Sequence, residues 1–238
     1  MKKTIKKITT FLLLTVIIGF TSCSSDDEIQ EKELASVTEE FQEKVSQMDL
    51  PSSLESSENM YAQQASYQFN AVKNLGQSFS AFLTVPPNAT STSSRPERSS
   101  KGVYMSGSKT YTWSSDGITV KYTITETSDR YTFSYHIESP DFTGKLISGY
   151  QLKDGSYAEF SMYNENSVVA TFKFWVNGDN IKAEMISEDQ KIYLETNTSS
   201  KEGTIKIYES DSLTAEYIWN ANGTGSYTNH ETNETFTW

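Results

Sequence analysis

Apolar residues recur with a period near four in the first part of this chain and with a period of two after residue 102. From Glu31 to Met48 they lie three or four residues apart, which predicts one face of an amphipathic helix. These positions are Leu34, Val37, Phe41, Val45 and Met48. The helix should end at Asp49-Leu50-Pro51, because a residue that precedes proline disfavours helical geometry.

A second helical pattern covers Leu54 to Leu83, with Ser53 or Ser57 as the predicted N-cap. Its apolar positions are Met60, Tyr67, Ala71, Leu75, Phe79 and Phe82. Gly76 should weaken or bend this helix, because glycine has a low helix propensity. The two patterns predict either two antiparallel helices or one broken helix.

The helical pattern stops at Val85-Pro86-Pro87. Residues 88–102 are rich in Ser, Thr and Pro and have no apolar periodicity, which is typical of a linker. We therefore predict a helical segment over residues 34–83, a linker over 84–102 and an antiparallel β domain over 103–238.

Strict alternation of apolar and polar residues marks the β domain. The clearest apolar sets are Ile118, Val120, Tyr122 and Ile124, and then Tyr131, Phe133, Tyr135 and Ile137. Turn sequences such as Ser115-Asp116-Gly117 and Asn222-Gly223 separate about eleven such runs between Tyr104 and Trp238. Connections this short join antiparallel neighbours, because a parallel crossover needs about a dozen residues.

The predicted fold class is therefore mainly β with N-terminal helices. An antiparallel meander follows the amphipathic helical segment. The meander either curls into a barrel or half-barrel or stays a long twisted sheet, since more than about ten strands rarely remain open and flat.

The first residues have the order of a secretory signal peptide. Four lysines come first, an apolar stretch runs from Ile8 to Phe20, and Thr21 and Ser22 precede Cys23. The lysines are Lys2, Lys3, Lys6 and Lys7. The apolar stretch is shorter than the ~20 residues that a transmembrane helix needs. We therefore predict a signal peptide over residues 1–22.

Phe20-Thr21-Ser22-Cys23 resembles the lipobox of bacterial lipoproteins, although it is looser than the usual Leu-Ala-Gly-Cys form. The resemblance implies cleavage before Cys23, diacylation of its thiol and acylation of the new amino terminus. Such an anchor is durable, because stable attachment requires more than one acyl chain. An ordinary signal peptide with a chance cysteine is the alternative.

An acidic cluster follows directly, in the predicted tether of residues 23–33. Its members are Ser24, Ser25, Asp26, Asp27 and Glu28. The cluster resembles the export signal of surface lipoproteins of the Bacteroidota, which implies the outer membrane with the body facing outward. The alternative is that an acidic, Ser-rich tether is simply well solvated.

An acylated chain with a helical segment and a long antiparallel meander also resembles, in architecture alone, the half-barrel of bacterial lipoprotein carriers and their receptors. No sequence motif of that family is present, and the helices of that family do not all precede its strands. The resemblance implies an alternative function, in which the chain carries an apolar ligand in a half-barrel groove that faces the periplasm.

The net charge limits the classes of partner that the chain can bind, and the cysteine count limits its disulfides. Cleavage before Cys23 removes four lysines and lowers the net charge from −11 to −15. Such a body is repelled by phosphate backbones, so we expect no nucleic-acid partner. Cys23 is the only cysteine, which excludes an intramolecular disulfide.

No catalytic or metal-binding pattern stands out. His136 and His230 are far apart and no second cysteine accompanies them, so we expect no metal site and no cofactor. Nucleophile elbows, phosphate loops and dinucleotide fingerprints are missing from the sequence. A carboxylate pair such as Glu184 and Glu216 is the one candidate for glycoside hydrolysis, and ordinary solvated surface is the alternative. We predict that the chain is not an enzyme.

The later strands carry aromatic residues on the face opposite the core. If Val168, Ala170, Phe172, Phe174 and Val176 face the core, the other face holds Tyr157, Tyr163, Trp175, Tyr193 and Tyr208. Their polar neighbours there are Glu159, Lys173, Lys182, Glu184 and Lys206. This mixture is typical of a ligand face, in which flat rings pack against sugars or apolar chains. Alternatively the rings form cross-strand pairs, or lie under the helices through Tyr67, Phe79 and Phe82.

Asp211-Ser212-Leu213 resembles the O-glycosylation sequon of the Bacteroidota, which implies a modified Ser212.

Together these features predict a membrane-anchored surface lipoprotein that acts as a binding or interaction module for a glycan, a peptide or a partner protein.

Overall fold

The computed structural model describes residues 43–94 and 107–238, without the side chains of residues 80–83. The predicted signal peptide, Cys23 and the acidic cluster lie outside this range, as does most of the first predicted helix. Residues 43–46 are helical, and the chain leaves the helix before Pro51. The described helices are not long and apolar enough to cross a membrane.

Two further helices follow, α1 over Ser52–Glu55 and α2 over Met60–Leu83. Asn59 caps α2, since its Oδ1 accepts hydrogen bonds from the backbone N–H groups of Tyr61 at 2.9 Å and Ala62 at 3.4 Å. The predicted caps Ser53 and Ser57 are therefore wrong for α2. Ser57 instead accepts a hydrogen bond from the N–H of Asn59.

Within residues 43–94 and 107–238, thirteen antiparallel strands form one unclosed sheet whose spatial order is the order in sequence. This confirms the predicted mainly β meander, and the sheet is open rather than a barrel. The strands are β1 Thr90–Ser94, β2 Ser108–Ser115, β3 Ile118–Glu126, β4 Arg130–Glu138, β5 Thr143–Leu152, β6 Tyr157–Asn164, β7 Ser167–Asn177, β8 Asn180–Ser187, β9 Gln190–Asn197, β10 Gly203–Glu209, β11 Ser212–Trp219, β12 Gly225–Asn229 and β13 Glu234–Thr237.

Strand β1 falls inside the segment predicted as a linker, and it pairs with β2 from Thr90↔Thr112 to Ser94↔Ser108. All its side chains are exposed, so its sequence lacks the alternation of apolar and polar residues from which a strand is predicted. Backbone hydrogen bonds to β2 form this strand without any contribution from a buried side chain.

One face of the sheet forms the core. Its buried residues alternate along the strands and lie beside one another across them, as in the pairs Phe160↔Phe172 and Ala183↔Leu194. Those that are at most 5% exposed in β6–β11 are Ala158, Phe160, Phe172, Phe174, Ile181, Ala183, Ile192, Leu194, Thr196, Ile205, Tyr217 and Trp219.

Helix α2 lies across this face and runs against the order of the strands. At its beginning the ring of Tyr61 stacks on Tyr227 of β12 and Phe236 of β13, each with centroids 4.7 Å apart. In its middle Phe69 meets Trp219 of β11 edge to face. Near its end Phe79 stacks on Phe160 of β6, with centroids 5.3 Å apart.

The face of α2 that meets the sheet differs from the predicted one. The buried positions are Ala62, Ala65, Phe69, Val72, Gly76 and Phe79, at spacings of three and four. Met60 and Tyr67, which the prediction placed on the apolar face, are 57% and 72% exposed. The prediction favoured large apolar residues, whereas the contact surface uses small residues that let the helix approach the sheet closely.

Gly76 is the clearest example of this close approach. The helix continues through it to Leu83, so the predicted weakening does not end the helix. A Cβ atom at this position would lie 3.0 Å from the ring of Phe174 and 3.1 Å from Val45. The glycine therefore leaves room for both side chains.

The segment before α2 is also attached to the last strands. Ser53 Oγ donates a hydrogen bond of 2.7 Å to the carbonyl oxygen of Asn222. Lys201 forms an ion pair with Asp49 and lowers the pKa of that carboxyl. Both contacts join the chain ahead of the helix to turns at one end of the sheet.

Truncation of Phe69 to alanine should destabilise the protein by about 3–5 kcal/mol, because the buried ring would leave a cavity between α2 and Trp219. Tyr67→Ala is the matched control, since its ring lies on the same helix but is 72% exposed. It should change the free energy of unfolding by less than about 0.5 kcal/mol. Urea denaturation measures both, and equal losses would contradict this packing.

Alkaline pH should weaken the contact between Tyr217 and the helix. Burial raises the pKa of Tyr217 from 10.0 to about 12, and its hydroxyl donates to Gln64 Oε1 at 3.1 Å. Between these pH values the unfolded chain loses this proton while the folded chain keeps it, so stability falls as pH rises. The contribution lost above pH 12 is about 3 kcal/mol.

The measurement is the free energy of unfolding of wild type minus that of Tyr217→Phe, at successive pH values from 8 to above 12. The difference should be constant below pH 10 and decline above it. A difference that stays flat over the whole range would show that burial does not hold this proton.

Candidate functional site

The face of the sheet opposite α2 holds all five predicted aromatic residues. We call it the second face; it comprises the residues that alternate with the core in β4–β11. Tyr157, Tyr163, Trp175, Tyr193 and Tyr208 all lie there and are half-buried. The helix packs on the other face, so the alternative that these rings lie under the helices through Phe79 is wrong.

The prediction that Val168 faces the core is wrong. Tyr163 pairs with Val168 and Met162 pairs with Ala170, so Val169 is an extra residue in a bulge. The bulge shifts the alternation by one residue, which moves Val168 to the second face. Val168 is therefore 53% exposed instead of part of the core.

Tyr157 and Trp175 form the aromatic pair of the second face. They are direct cross-strand partners on β6 and β7, with ring centroids 5.2 Å apart and planes inclined at 57°. Tyr150 of β5 extends the pair, with its centroid 5.6 Å from that of Tyr157. Cross-strand pairing therefore accounts for two of the five predicted residues.

A hydrogen bond fixes the ring of Tyr157. Its hydroxyl donates to Glu159 Oε2 at 2.6 Å, two residues along the same strand. Burial raises the pKa of Tyr157, and the hydrogen bond to Glu159 raises it further. The hydroxyl thus stays protonated, and its hydrogen bond holds the ring in place beside Trp175.

A groove of about 350 Å³ lies on the second face over β8–β11. Three glutamates line it, Glu184, Glu195 and Glu216, together with two lysines, Lys191 and Lys206. Tyr193, Tyr208 and Thr204 complete the lining. Thr204 has the shortest side chain of these residues and leaves the space that the longer ones surround.

Each glutamate of the groove has a lysine partner. Glu184 pairs with Lys173 at 3.2 Å, Glu195 with Lys182 at 3.4 Å and Glu216 with Lys206 at 3.4 Å. The Nε2 atom of His230 also lies 3.5 Å from Glu216 Oε2. The negative charge of each carboxylate is therefore balanced by a lysine of the same sheet.

The two tyrosines of the groove are also held by neighbours. Tyr193 donates a hydrogen bond of 2.9 Å to Glu195 Oε2, which repeats the arrangement of Tyr157 and Glu159. Burial, followed by this hydrogen bond, raises the pKa of Tyr193. The ammonium of Lys191 lies 4.2 Å from the ring centroid of Tyr208.

The aromatic pair and the groove lie in one cross-strand row. Trp175 is opposite Lys182, Lys182 is opposite Glu195, and Glu195 is opposite Thr204. With Tyr157 at its start, the row crosses five strands. Four spacings of about 4.8 Å make it ~19 Å long.

Tyr163 is the predicted residue that stands apart. It lies six residues from Tyr157 on β6, which is ~20 Å along an extended strand. Its hydroxyl is 3.0 Å from Ser148 Oγ, and Lys145 lies 3.9 Å from its ring centroid. It belongs to neither the aromatic pair nor the groove.

Four residues of this site were not predicted from the sequence, namely Tyr150, Lys191, Glu195 and Thr204. Glu195 was detectable, because it lies two residues after Tyr193 and therefore on the same face of β9. Tyr150 lies in β5, whose residues show little alternation. Thr204 matters because it is short, which only the packing around it reveals.

Glu184 and Glu216, the candidate pair for glycoside hydrolysis, line the same groove. Two strands separate β8 from β11, so the Cα atoms of this pair are ~14 Å apart. Glu184 is moreover paired with Lys173 on the side away from Glu216.

Ser212 is exposed at the start of β11, directly after a turn in which Ser210 and Asp211 have φ values of 47° and 66°. An exposed hydroxyl beside a tight turn is accessible to a modifying enzyme. O-glycosylation of Ser212 stays a prediction.

No model of a known protein family matches this sequence, and a search of the curated proteins found no match either.

Proposed function

We propose that this chain is a lipid-anchored surface lipoprotein that binds a ligand through the second face of its sheet. Lipid on Cys23 would hold it at the outer membrane, and the acidic cluster that follows Cys23 would direct it to the cell surface. The sheet would then present its second face to an external glycan, peptide or partner protein.

The observation that supports a binding role is that the two faces of the sheet differ in what packs on them. Helix α2 covers the core face, while the second face keeps a half-buried aromatic pair beside a groove of about 350 Å³. Rigid aromatic rings next to a few ordered polar groups are typical of ligand sites. Tyr157 and Tyr193 are both ordered by hydrogen bonds to glutamates.

The described structure does not favour an apolar cargo. The place for such a ligand in a half-barrel would be the core face. There, Phe69, Val72 and Phe79 of α2 already pack and are at most 3% exposed. The groove of the second face is lined mainly by charged side chains.

Surface display predicts that external protease digests the wild-type protein on intact cells. An Asp26→Ala/Asp27→Ala variant should be protected on intact cells and digested after lysis, because its export signal is lost while its anchor remains. A Cys23→Ala variant should leave the membrane fraction. Immunoblots of treated cells give the readout, and protection of the wild type on intact cells would contradict surface display.

Binding through the second face predicts that Trp175→Ala weakens the interaction at least tenfold, which corresponds to about 1.4 kcal/mol. Tyr193→Ala should weaken it similarly. Tyr67→Ala removes an exposed ring from α2 and should leave the affinity unchanged. Surface plasmon resonance over immobilised glycans, peptides and outer-membrane proteins measures the three variants. The proposal fails if the first two leave every detected interaction as it was.

A further inference from the structure

We infer that the second face binds a neutral, linear oligosaccharide that lies across strands β6–β10. It would follow the row from Tyr157 through Trp175, Lys182 and Glu195 to Thr204, with the aromatic pair at one end and the groove at the other. This inference rests on the proposed binding function and names the class of its ligand.

The charges of the groove argue for a ligand without net charge. Glu184, Glu195 and Glu216 each face a lysine within 3.2–3.4 Å, and Lys191 lies over the ring of Tyr208. Because each pair carries both signs, a charged ligand is attracted by one member and repelled by the other, so its charge contributes little net affinity. A divalent cation near these glutamates is likewise repelled by the ammonium group that each of them already holds.

The same groups suit a ligand that is rich in hydroxyls. An ionised carboxylate offers about four lone-pair sites, and an ammonium offers three donors, so one ion pair does not exhaust either group. The row therefore keeps acceptors at Glu195 and donors at Lys182. Hydroxyl groups, which both donate and accept, can bond to both kinds of group without disturbing the pairs.

The rings supply the apolar part of the contact. Trp175 and Tyr157 are half-buried, with planes inclined at 57°, so they offer ring surface at the edge of the row. The C–H faces of a sugar ring are flat and apolar, and they pack against such surface. Because Tyr157 is fixed by Glu159, little rotamer freedom is lost on binding.

The shape of the site favours a chain over a single sugar. The aromatic pair and Thr204 stand at opposite ends of a row that is ~19 Å long. One ligand reaches both only if it extends across the strands. A peptide is less suited, because extended peptides bind by adding a strand to a free sheet edge, and β6–β10 are paired on both sides.

The test is isothermal titration calorimetry of the purified full chain in detergent. The neutral probes are hexasaccharides of glucose, xylose, mannose and N-acetylglucosamine, and the charged probe is hexagalacturonate. At least one neutral probe should bind, with an affinity that changes less than twofold between 50 and 500 mM NaCl. Its disaccharide should bind at least tenfold more weakly, and hexagalacturonate should not bind.

Two substitutions locate the binding. Trp175→Ala removes a ring of the aromatic pair, and Thr204→Met fills the groove without adding charge; each should weaken binding of the neutral probe at least tenfold. Thr123→Met is the matched control, because Thr123 is half-buried on β3, away from the row. It should bind as the wild type does, and melting curves verify that all three variants fold.

Failure to bind any neutral hexasaccharide, or binding that Thr204→Met leaves unchanged, overturns this inference. If Trp175→Ala still abolishes capture of a peptide or partner protein in the resonance experiment, the proposed binding function stands even though the oligosaccharide inference has failed. If neither experiment detects an interaction that depends on Trp175, both proposals fail. If hexagalacturonate binds and its affinity falls as salt is added, only the claim that the oligosaccharide is neutral is overturned.

Discussion

The contact between α2 and the core face is the interaction on which the rest of the structure depends. A single sheet, however long, has two faces exposed to water, and a sheet needs a packed face to be stable. Here one helix supplies that packing from β12 and β13 back to β6. Its small residues Ala62, Ala65 and Gly76 bring it close enough for the aromatic residues of both elements to interlock.

Because α2 packs on the core face, no helix of the described residues covers the second face. Its residues are tied to one another instead, through cross-strand ion pairs such as that of Lys173 and Glu184 and through tyrosines that donate to glutamates on the same strand. These ties fix the order of rings and charges on the second face.

Much of the fold was predictable from the sequence. Alternation located β3 and β4, and the turn sequences gave an antiparallel meander, because both signals are local. Strand β1 escaped notice because it buries no side chain. The contact face of α2 was missed because alanine and glycine carry weak apolar signals, and Val168 was misplaced because a bulge at Val169 reverses the alternation. For the site, alternation found the face, but the row that joins Trp175 to Thr204 depends on the register of three strand pairs.

The backward course of α2 has a consequence for the order in which the chain folds. Neighbouring strands close short loops, whereas Gln64 and Tyr217 are 153 residues apart in sequence, and Ser53 and Asn222 are 169 apart. Such distant contacts form late, because the entropy of closing a long loop is lost before the contact is gained. During synthesis, which proceeds from the amino end, α2 is made before the strands β11–β13 that it packs against. The contacts of α2 with these strands can therefore form only when the chain is nearly complete.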